Sequence, residues 1–271
     1  MYWIDTHTHI TMNLTVDEQD ACMQRTLRAG VKKIVLANVD RESISPVADF
    51  CFRYPSHAFA AIGLHPTEVN KNFKSELEFM QSRLAFAVST ISSGGTRYVA
   101  IGETGIDLYH DKTFFEQQKI AFKTQLKWAK RYNLPLIFHV RNSTGASDAM
   151  EETLAILEQE QDDSLRGVFH CYSGTLSQAQ HIVDMGFSLG IGGVLTFKNA
   201  GELTEVVRTT DIRHLLLETD APFLAPVPYR GKQNESSYIP IIGHKMAQVK
   251  GLSPQEVAKI TSRNAEILFG I

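Results

Sequence analysis

The chain has 271 residues, of which 43% are hydrophobic and 21% charged, so it is neither disordered nor collagenous and can bury a core without disulfide staples. A net charge of −3 excludes a global positive field, so a nucleic acid or an anionic surface would have to be held by a local site. The three cysteines, Cys22, Cys51 and Cys171, form no close-spaced pair, and the N-terminus shows neither a basic region nor an apolar run, so a cytoplasmic chain with no membrane partner is expected.

Strand-like apolar runs fall at Tyr2–Thr6, Lys32–Ala37, Ala58–Ile62, Tyr98–Gly102, Leu136–Phe138, Gly167–Phe169, Phe187–Ile191 and His214–Leu217. Helical patterns lie between them, with Phe115, Phe122, Leu126 and Ala129 on one face and Met150, Leu154 and Leu157 on the face of the next. The segment from Ala221 to about Ser237 holds Pro222, Pro226, Pro228 and Gly231 without an apolar period and reads as a functional loop. Ser253-Pro254-Gln255-Glu256 then supplies an N-cap, a first-turn proline and a capping-box glutamate, opening a helix to about Leu268. Eight strand–helix repeats with no linker between them predict an α/β fold, a single (β/α)8 TIM barrel over residues 1–271. A doubly wound open sheet would more often carry fewer strands.

Polar residues interrupt this pattern at the strand ends. Asp5, His7 and His9 alternate at period two, so all three project to one side of the first strand. A buried polar group without a partner costs roughly 2–7 kcal/mol. Two imidazoles beside a carboxylate suit a divalent metal, although an isolated His-x-His can equally be satisfied by backbone groups. Four further strands end in the same chemistry: Glu103 follows Val99–Gly102, His139 follows Leu136–Phe138, His170 follows Gly167–Phe169, and Glu218 and Asp220 follow Leu215–Leu217. In a barrel such ends converge on the face that carries the active site. His7, His9, His139 and His170 with Glu103 and Asp220 exceed what one tetrahedral zinc takes and suit a two-metal site in which a carboxylate such as Glu103 bridges both ions. His57, His181, His214 and His244 read as surface or structural residues, and His110 is left open.

These residues resemble the TatD family of metal-dependent hydrolases, deoxyribonuclease-like members of the amidohydrolase-type barrels. The resemblance runs through Asp5-Thr6-His7-Thr8-His9, Gly63-Leu64-His65-Pro66, Gly102-Glu103-Thr104-Gly105-Ile106-Asp107 and His139-Val140-Arg141. It continues through His170-Cys171-Tyr172-Ser173-Gly174, Glu218-Thr219-Asp220-Ala221-Pro222 and Arg230-Gly231-Lys232-Gln233-Asn234. It implies two divalent metal ions, zinc, manganese or magnesium: one held by His7, His9, Glu103 and Asp220, the other by His139 and His170 with Glu103 shared. It also implies hydrolysis of phosphodiester bonds in DNA, commonly from the 3′ end. Asn142, Tyr172 and Ser236 depart from the family's usual Asp, Phe and Pro and leave the ligands untouched.

The mechanism expected is two-metal activation of a water, with Asp220 and Glu103 as the catalytic carboxylates and Asp220 as general base. Glu218 either orients a neighbour or is purely structural, while His65 and Arg141, the latter two residues beyond His139, are expected to meet substrate phosphate. Arg230, Lys232 and Asn234 are expected to be presented by the long loop. The mixture of imidazole and carboxylate suits zinc or manganese better than magnesium. The alternative is a dinuclear hydrolase of a small amide, lactone or ester, although such enzymes often bridge their metals with a carboxylated lysine, and here Glu103 ends the fourth strand. The intact ligand set argues against a non-catalytic scaffold. With no basic stripe, the expected partner is DNA gripped through few phosphates by a monomer, preferably single-stranded or at frayed ends.

Overall fold

The structure, a computed structural model, describes residues 1–90, 95–146, 148–160, 162 and 164–271. It has the predicted (β/α)8 barrel fold, with eight strands in chain order: β1 (Trp3–Thr8), β2 (Val31–Leu36), β3 (Ala58–Ile62), β4 (Tyr98–Asp107), β5 (Leu136–Arg141), β6 (Gly167–Phe169), β7 (Ser188–Ile191) and β8 (Leu215–Leu217). Between them come α1 (Val16–Arg28), α2 (Ile44–Arg53), α3 (Phe73–Thr90), α4 (Phe115–Tyr132), α5 (Asp148–Glu160), α6 (Leu176–Asp184) and α7 (Gly201–Thr209), with α8 (Ile239–Lys250) and α9 (Pro254–Phe269) at the end. Among the described residues no helix is long and apolar enough to cross a membrane.

Local chemistry sets the helix boundaries. Thr15 with Glu18, Thr175 with Gln178 and Ser253 with Glu256 form capping boxes that satisfy the first donors of α1, α6 and α9. Left-handed Gly251 and Gly270 close α8 and α9.

The chain forms two compact units. Residues 1–36, 56–58 and 170–271 make the first, which contains β1, β2, β7 and β8. Its core joins Trp3, Ile4, Ile34, Leu189, Leu215 and Leu217 of the strands to Met246 and Val257 of the last helices. β1 pairs in parallel with β2, Trp3 opposite Val31 and Asp5 opposite Ile34. The chain beyond β8 is tied to the end of β1 by Asp220 N–H to His7 O at 3.0 Å and His9 N–H to Ala221 O at 2.7 Å.

Residues 37–55 and 59–169 make the second unit, with β4, β5 and β6 and helices α2 to α5. Its centre is aromatic: Phe138 lies 4.7 Å from Phe169 and 6.0 Å from Phe122, ring centroid to centroid. Buried Gln125 of α4 donates to Thr104 Oγ1 at 2.6 Å and accepts from Leu64 N–H at 2.8 Å, joining the helix to two loop and strand segments. β4 and β5 run past the ends expected from apolar content, so Glu103 and His139 lie inside strands rather than at their ends. Backbone pairing outlasts the apolar run: Gly105 stands opposite His139 and Asp107 opposite Arg141.

Gly105 makes that extension possible. Its φ is +149°, and a Cβ there would lie 2.0 Å from the His139 carbonyl oxygen. Gly105→Ala should therefore cost about 1–3 kcal/mol, as overpacking does. Urea unfolding followed by circular dichroism measures this, and an unchanged midpoint would show that β4 and β5 do not depend on the close approach.

Candidate metal centre

In the second unit Glu103, Gly105 and Asp107 alternate along β4, which sends both carboxylates to one side. They bracket His139: Glu103 Oε1 is 2.7 Å from Nδ1 and Asp107 Oδ2 is 2.9 Å from Nε2. Asp107 is buried, and burial works to raise its carboxyl, but hydrogen bonds from His139, from the His110 backbone and from the His110 ring outweigh that and hold it well below the usual carboxylate range. It is therefore an acceptor, and His139 Nε2 carries the proton it receives. When the ring is neutral, Nδ1 is left as a second acceptor facing Glu103. Two acceptors at that spacing repel unless a proton or a cation lies between them, and His139 Nδ1, Glu103 Oε1 and His65 Nε2 all fall within 4.8 Å of one another. Imidazole and carboxylate at this spacing suit a divalent ion.

His65 has the opposite polarity. Its Nδ1 accepts the Thr67 backbone N–H at 3.1 Å, so the neutral ring carries its proton on Nε2, 3.1 Å from His139 Nδ1 and 3.4 Å from Glu103 Oε1. One N–H cannot serve both of these acceptors. His110, unassigned from sequence, is an exposed ring whose Nδ1 lies 2.9 Å from Asp107 Oδ2.

The first unit holds its own cluster. His7 Nε2 lies 3.1 Å from His9 Nε2, and Asp220 Oδ1 lies 3.6 Å and 3.5 Å from the same two atoms. His170 stacks on His7 with ring centroids 3.9 Å apart and groups with His7 and Asp220 as a possible ligand set. Burial alone would raise the Asp220 carboxyl, but the His9 hydrogen bond and the charges of His170 and His7 hold it below its ordinary value. With both rings neutral and unprotonated at Nε2, the same two imidazoles and carboxylate would face one cation as ligands.

Two further carboxylates hold this cluster without joining it. Asp5 does not serve as a ligand: Oδ1 accepts Thr219 N–H at 3.0 Å and His7 N–H at 3.2 Å, and Oδ2 accepts the Thr219 hydroxyl at 2.6 Å. Burial pushes its carboxyl up to about 7 against those bonds. Glu218 Oε1 accepts Cys171 N–H at 2.6 Å and lies 3.5 Å from His170 Nδ1, while Oε2 is buried with no hydrogen-bond partner among the described residues.

Residues 4–270 match the family described as TatD related DNase. The chain belongs to the TatD family. YabD of Bacillus subtilis, a metal-dependent hydrolase by name, is 35% identical over 98% of this chain and 98% of its own. The crystal structure of YjjV, a TatD homologue from Escherichia coli, superposes with a TM-score of 0.87 at 30% identity, covering 99% of this chain and 98% of that one. A TatD family hydrolase from Entamoeba histolytica shares the fold at a TM-score of 0.82 and 22% identity, covering 99% of this chain and 98% of that one.

The remaining TatD motif residues divide by what they touch. Arg141 is exposed at the end of β5, its guanidinium carbon 5.3 Å from the centre of the Tyr109 ring. On the long loop Arg230 stands over Phe197 at 4.4 Å and Lys232 near Tyr229 at 6.0 Å. These basic–aromatic pairs join residues mostly distant in sequence, which is why no alternating stretch announces them. Asn234, expected beside them, is instead buried, donating to Thr219 O at 2.7 Å and to Phe223 O at 2.6 Å. The departures at Asn142 and Tyr172 do structural work: Asn142 Oδ1 accepts Met150 N–H at the start of α5, and the Tyr172 hydroxyl donates to Thr175 O. Asp107 is the residue that sequence reasoning missed, although its period-two spacing from Glu103 was there to read.

Asp107→Ala would leave His139 Nε2 without its acceptor and free the ring to turn. Metal affinity should fall about 10–100-fold, as it does when outer partners of ligating histidines are removed. Chelator competition measures this, and an affinity equal to that of the unaltered protein would remove Asp107 from the support of the site.

Proposed function

We propose that this TatD-family metal-dependent hydrolase cleaves phosphodiester bonds in DNA, working from the 3′ end of single strands or frayed ends. The observation that supports this best is the close grouping of His139 Nδ1 and Glu103 Oε1, 2.7 Å apart, with His65 beside them: a neutral His139 held by Asp107 at Nε2 leaves two acceptors there, while a neutral His65 presents an N–H. Acceptors suit cations, and a donor beside them suits the oxygens of a phosphoryl group.

The ligand assignment carried by the family resemblance gives His7, His9, Glu103 and Asp220 to one ion, and His139 and His170, with Glu103 shared, to a second. Divalent ions bound there supply Lewis acidity and a water activated near neutral pH. Asp220, held below its ordinary carboxylate value, would accept the proton of the attacking water. His65 donates from Nε2 to a phosphoryl oxygen, and Arg141 offers its fork of donors to the same group or to the next phosphate. Glu218 and Asp107 keep His170 and His139 in orientation.

Glu103→Ala should lose bound metal and lower kcat/KM on a single-stranded oligonucleotide by at least about 10³-fold, and Asp220→Asn should retain part of its metal while losing a comparable share of activity. Metal analysis beside a screen of single-stranded DNA, duplex DNA, RNA and simple esters measures both effects. Either variant cleaving DNA like the unaltered protein would sink this mechanism, and turnover confined to amides, lactones or simple esters would move the substrate to that class.

The sequence carries no basic stripe, so affinity for single-stranded DNA should fall only gently with salt, with a slope on logarithmic axes of about −1 to −3. A salt titration giving a slope several times steeper would show a broad electrostatic interface instead.

A further inference from the structure

We propose that Phe223 is a stacking platform for the nucleobase beside the scissile bond and so a specificity-determining residue of this site, an inference that rests on the phosphodiesterase reading. Phe223 follows Asp220 by three residues, and its ring centre is 6.4 Å from that of His9, inclined by 68°. Half of the residue, 50%, is open to solvent.

An exposed phenylalanine is ordinary on a protein surface, and Phe52 and Phe86 are more exposed on α2 and α3. Phe223 differs in how it is mounted. Its N–H donates to Asp220 O at 2.8 Å, and its carbonyl accepts the Asn234 side-chain amide at 2.6 Å. Asn234 N–H donates in turn to Pro222 O at 3.0 Å, and Leu224 is held in the left-handed region at φ +55°. A leucine there is strained, so the surrounding bonds fix the turn rather than merely permit it. The loop thus spends a buried asparagine and a strained leucine on holding one aromatic residue beside a candidate ligand, yet leaves half of that residue open.

An uncharged ring cannot bind phosphate. What it offers is a π-face and an apolar surface, and every nucleobase presents a matching face whatever its sequence. Stacking adds no cation, so it agrees with a shallow salt dependence, and it gives an enzyme whose sequence shows no basic stripe another grip on a single strand. A ring that merely shielded His9 from water would be replaced adequately by leucine. A platform would not.

The test uses the metal-loaded protein and Phe223→Leu, Phe223→Ala and Phe223→Trp. Phe223→Leu should raise KM for a thymidine trinucleotide about tenfold, the loss of one base–aromatic stack, with a smaller change in kcat. Phe223→Trp should restore it, and metal content should be equal in all four proteins. On a trinucleotide made abasic at the position next to the cleaved bond, the unaltered protein and Phe223→Leu should have the same KM. A phosphorothioate trinucleotide carrying 2-aminopurine at that position should lose fluorescence on binding the unaltered protein and not on binding Phe223→Leu.

Equal KM values on the ordinary trinucleotide, or equal losses on the ordinary and abasic ones, would overturn the stacking role. Altered metal content in Phe223→Leu would do the same by assigning the ring to support of His9. If the unaltered protein cleaves no phosphodiester, the phosphodiesterase reading fails by itself, and the 2-aminopurine signal alone then decides the platform: quenching lost in Phe223→Leu supports it, and its absence from the unaltered protein ends it.

Discussion

Glu103 Oε1 stands 2.7 Å from His139 Nδ1, and in the other cluster Asp220 Oδ1 and the Nε2 atoms of His7 and His9 lie within 3.1–3.6 Å of one another. Such atoms repel unless a proton or a cation sits among them, and much of the surrounding polar structure serves to hold them in place. Three buried carboxylates do so without facing the converging point themselves. Asp107 fixes the His139 ring, Asp5 fixes the backbone of Thr219 and His7, and Glu218 fixes the backbone of Cys171 beside His170. Burying a carboxylate is unfavourable, which is visible in the upward push on Asp5; several donors converge on Asp5 and on Asp107, whereas Glu218 receives Cys171 N–H on Oε1 alone.

Backbone strain collects at the same place. Cys171, Asp220 and Leu224 all have positive φ, at 45°, 56° and 55°, and each sits at or near a site residue. Conformations of this kind cost about 1–3 kcal/mol each and persist where surrounding bonds over-determine them. Cys171 is held by Glu218, Asp220 by its N–H to His7 O, and Leu224 by the grip of Asn234 on Phe223. The core of each unit carries this burden through ordinary burial of Leu, Ile, Val and Phe. The local rules that favour helices, strands and turns are therefore broken mainly where chemistry is expected.

The barrel was legible because its signal is periodic and repeated: apolar runs at β3 and β6 and the capping box before α9 stand where the sequence places them. The strand ends at β4 and β5 were not, because apolar content stops at Gly102 and Phe138 whereas backbone pairing depends on Gly105, whose missing side chain shows no periodicity. Among the candidate site residues, His7 and His9 could be read from alternation only in company with the four other strands that end in the same chemistry. Asp5 shares that alternation but turns to Thr219, a partner more than two hundred positions away, and no local pattern reports such a bond. Asn234 misled for a related reason. A polar residue in a proline-rich loop looks available to substrate, and only the folded loop reveals that its amide is spent on two carbonyls.

Residue type also failed to separate the histidines, and the reason is chemical. His65 and His139 approach to 3.1 Å, yet each has its tautomer set from behind by a different group. A backbone N–H from Thr67 makes His65 Nδ1 an acceptor and so puts the proton on the nitrogen that faces His139. A carboxylate from Asp107 accepts a hydrogen bond from His139 Nε2, so that the neutral ring leaves an acceptor facing Glu103. Identical side chains become donor and acceptor because one leans on an amide and the other on an acid. A site proposed to hold cations and anionic oxygens close together needs both polarities within a few ångströms. Here the distinction is made by the second atom of each ring, which a sequence motif naming only the histidines cannot convey.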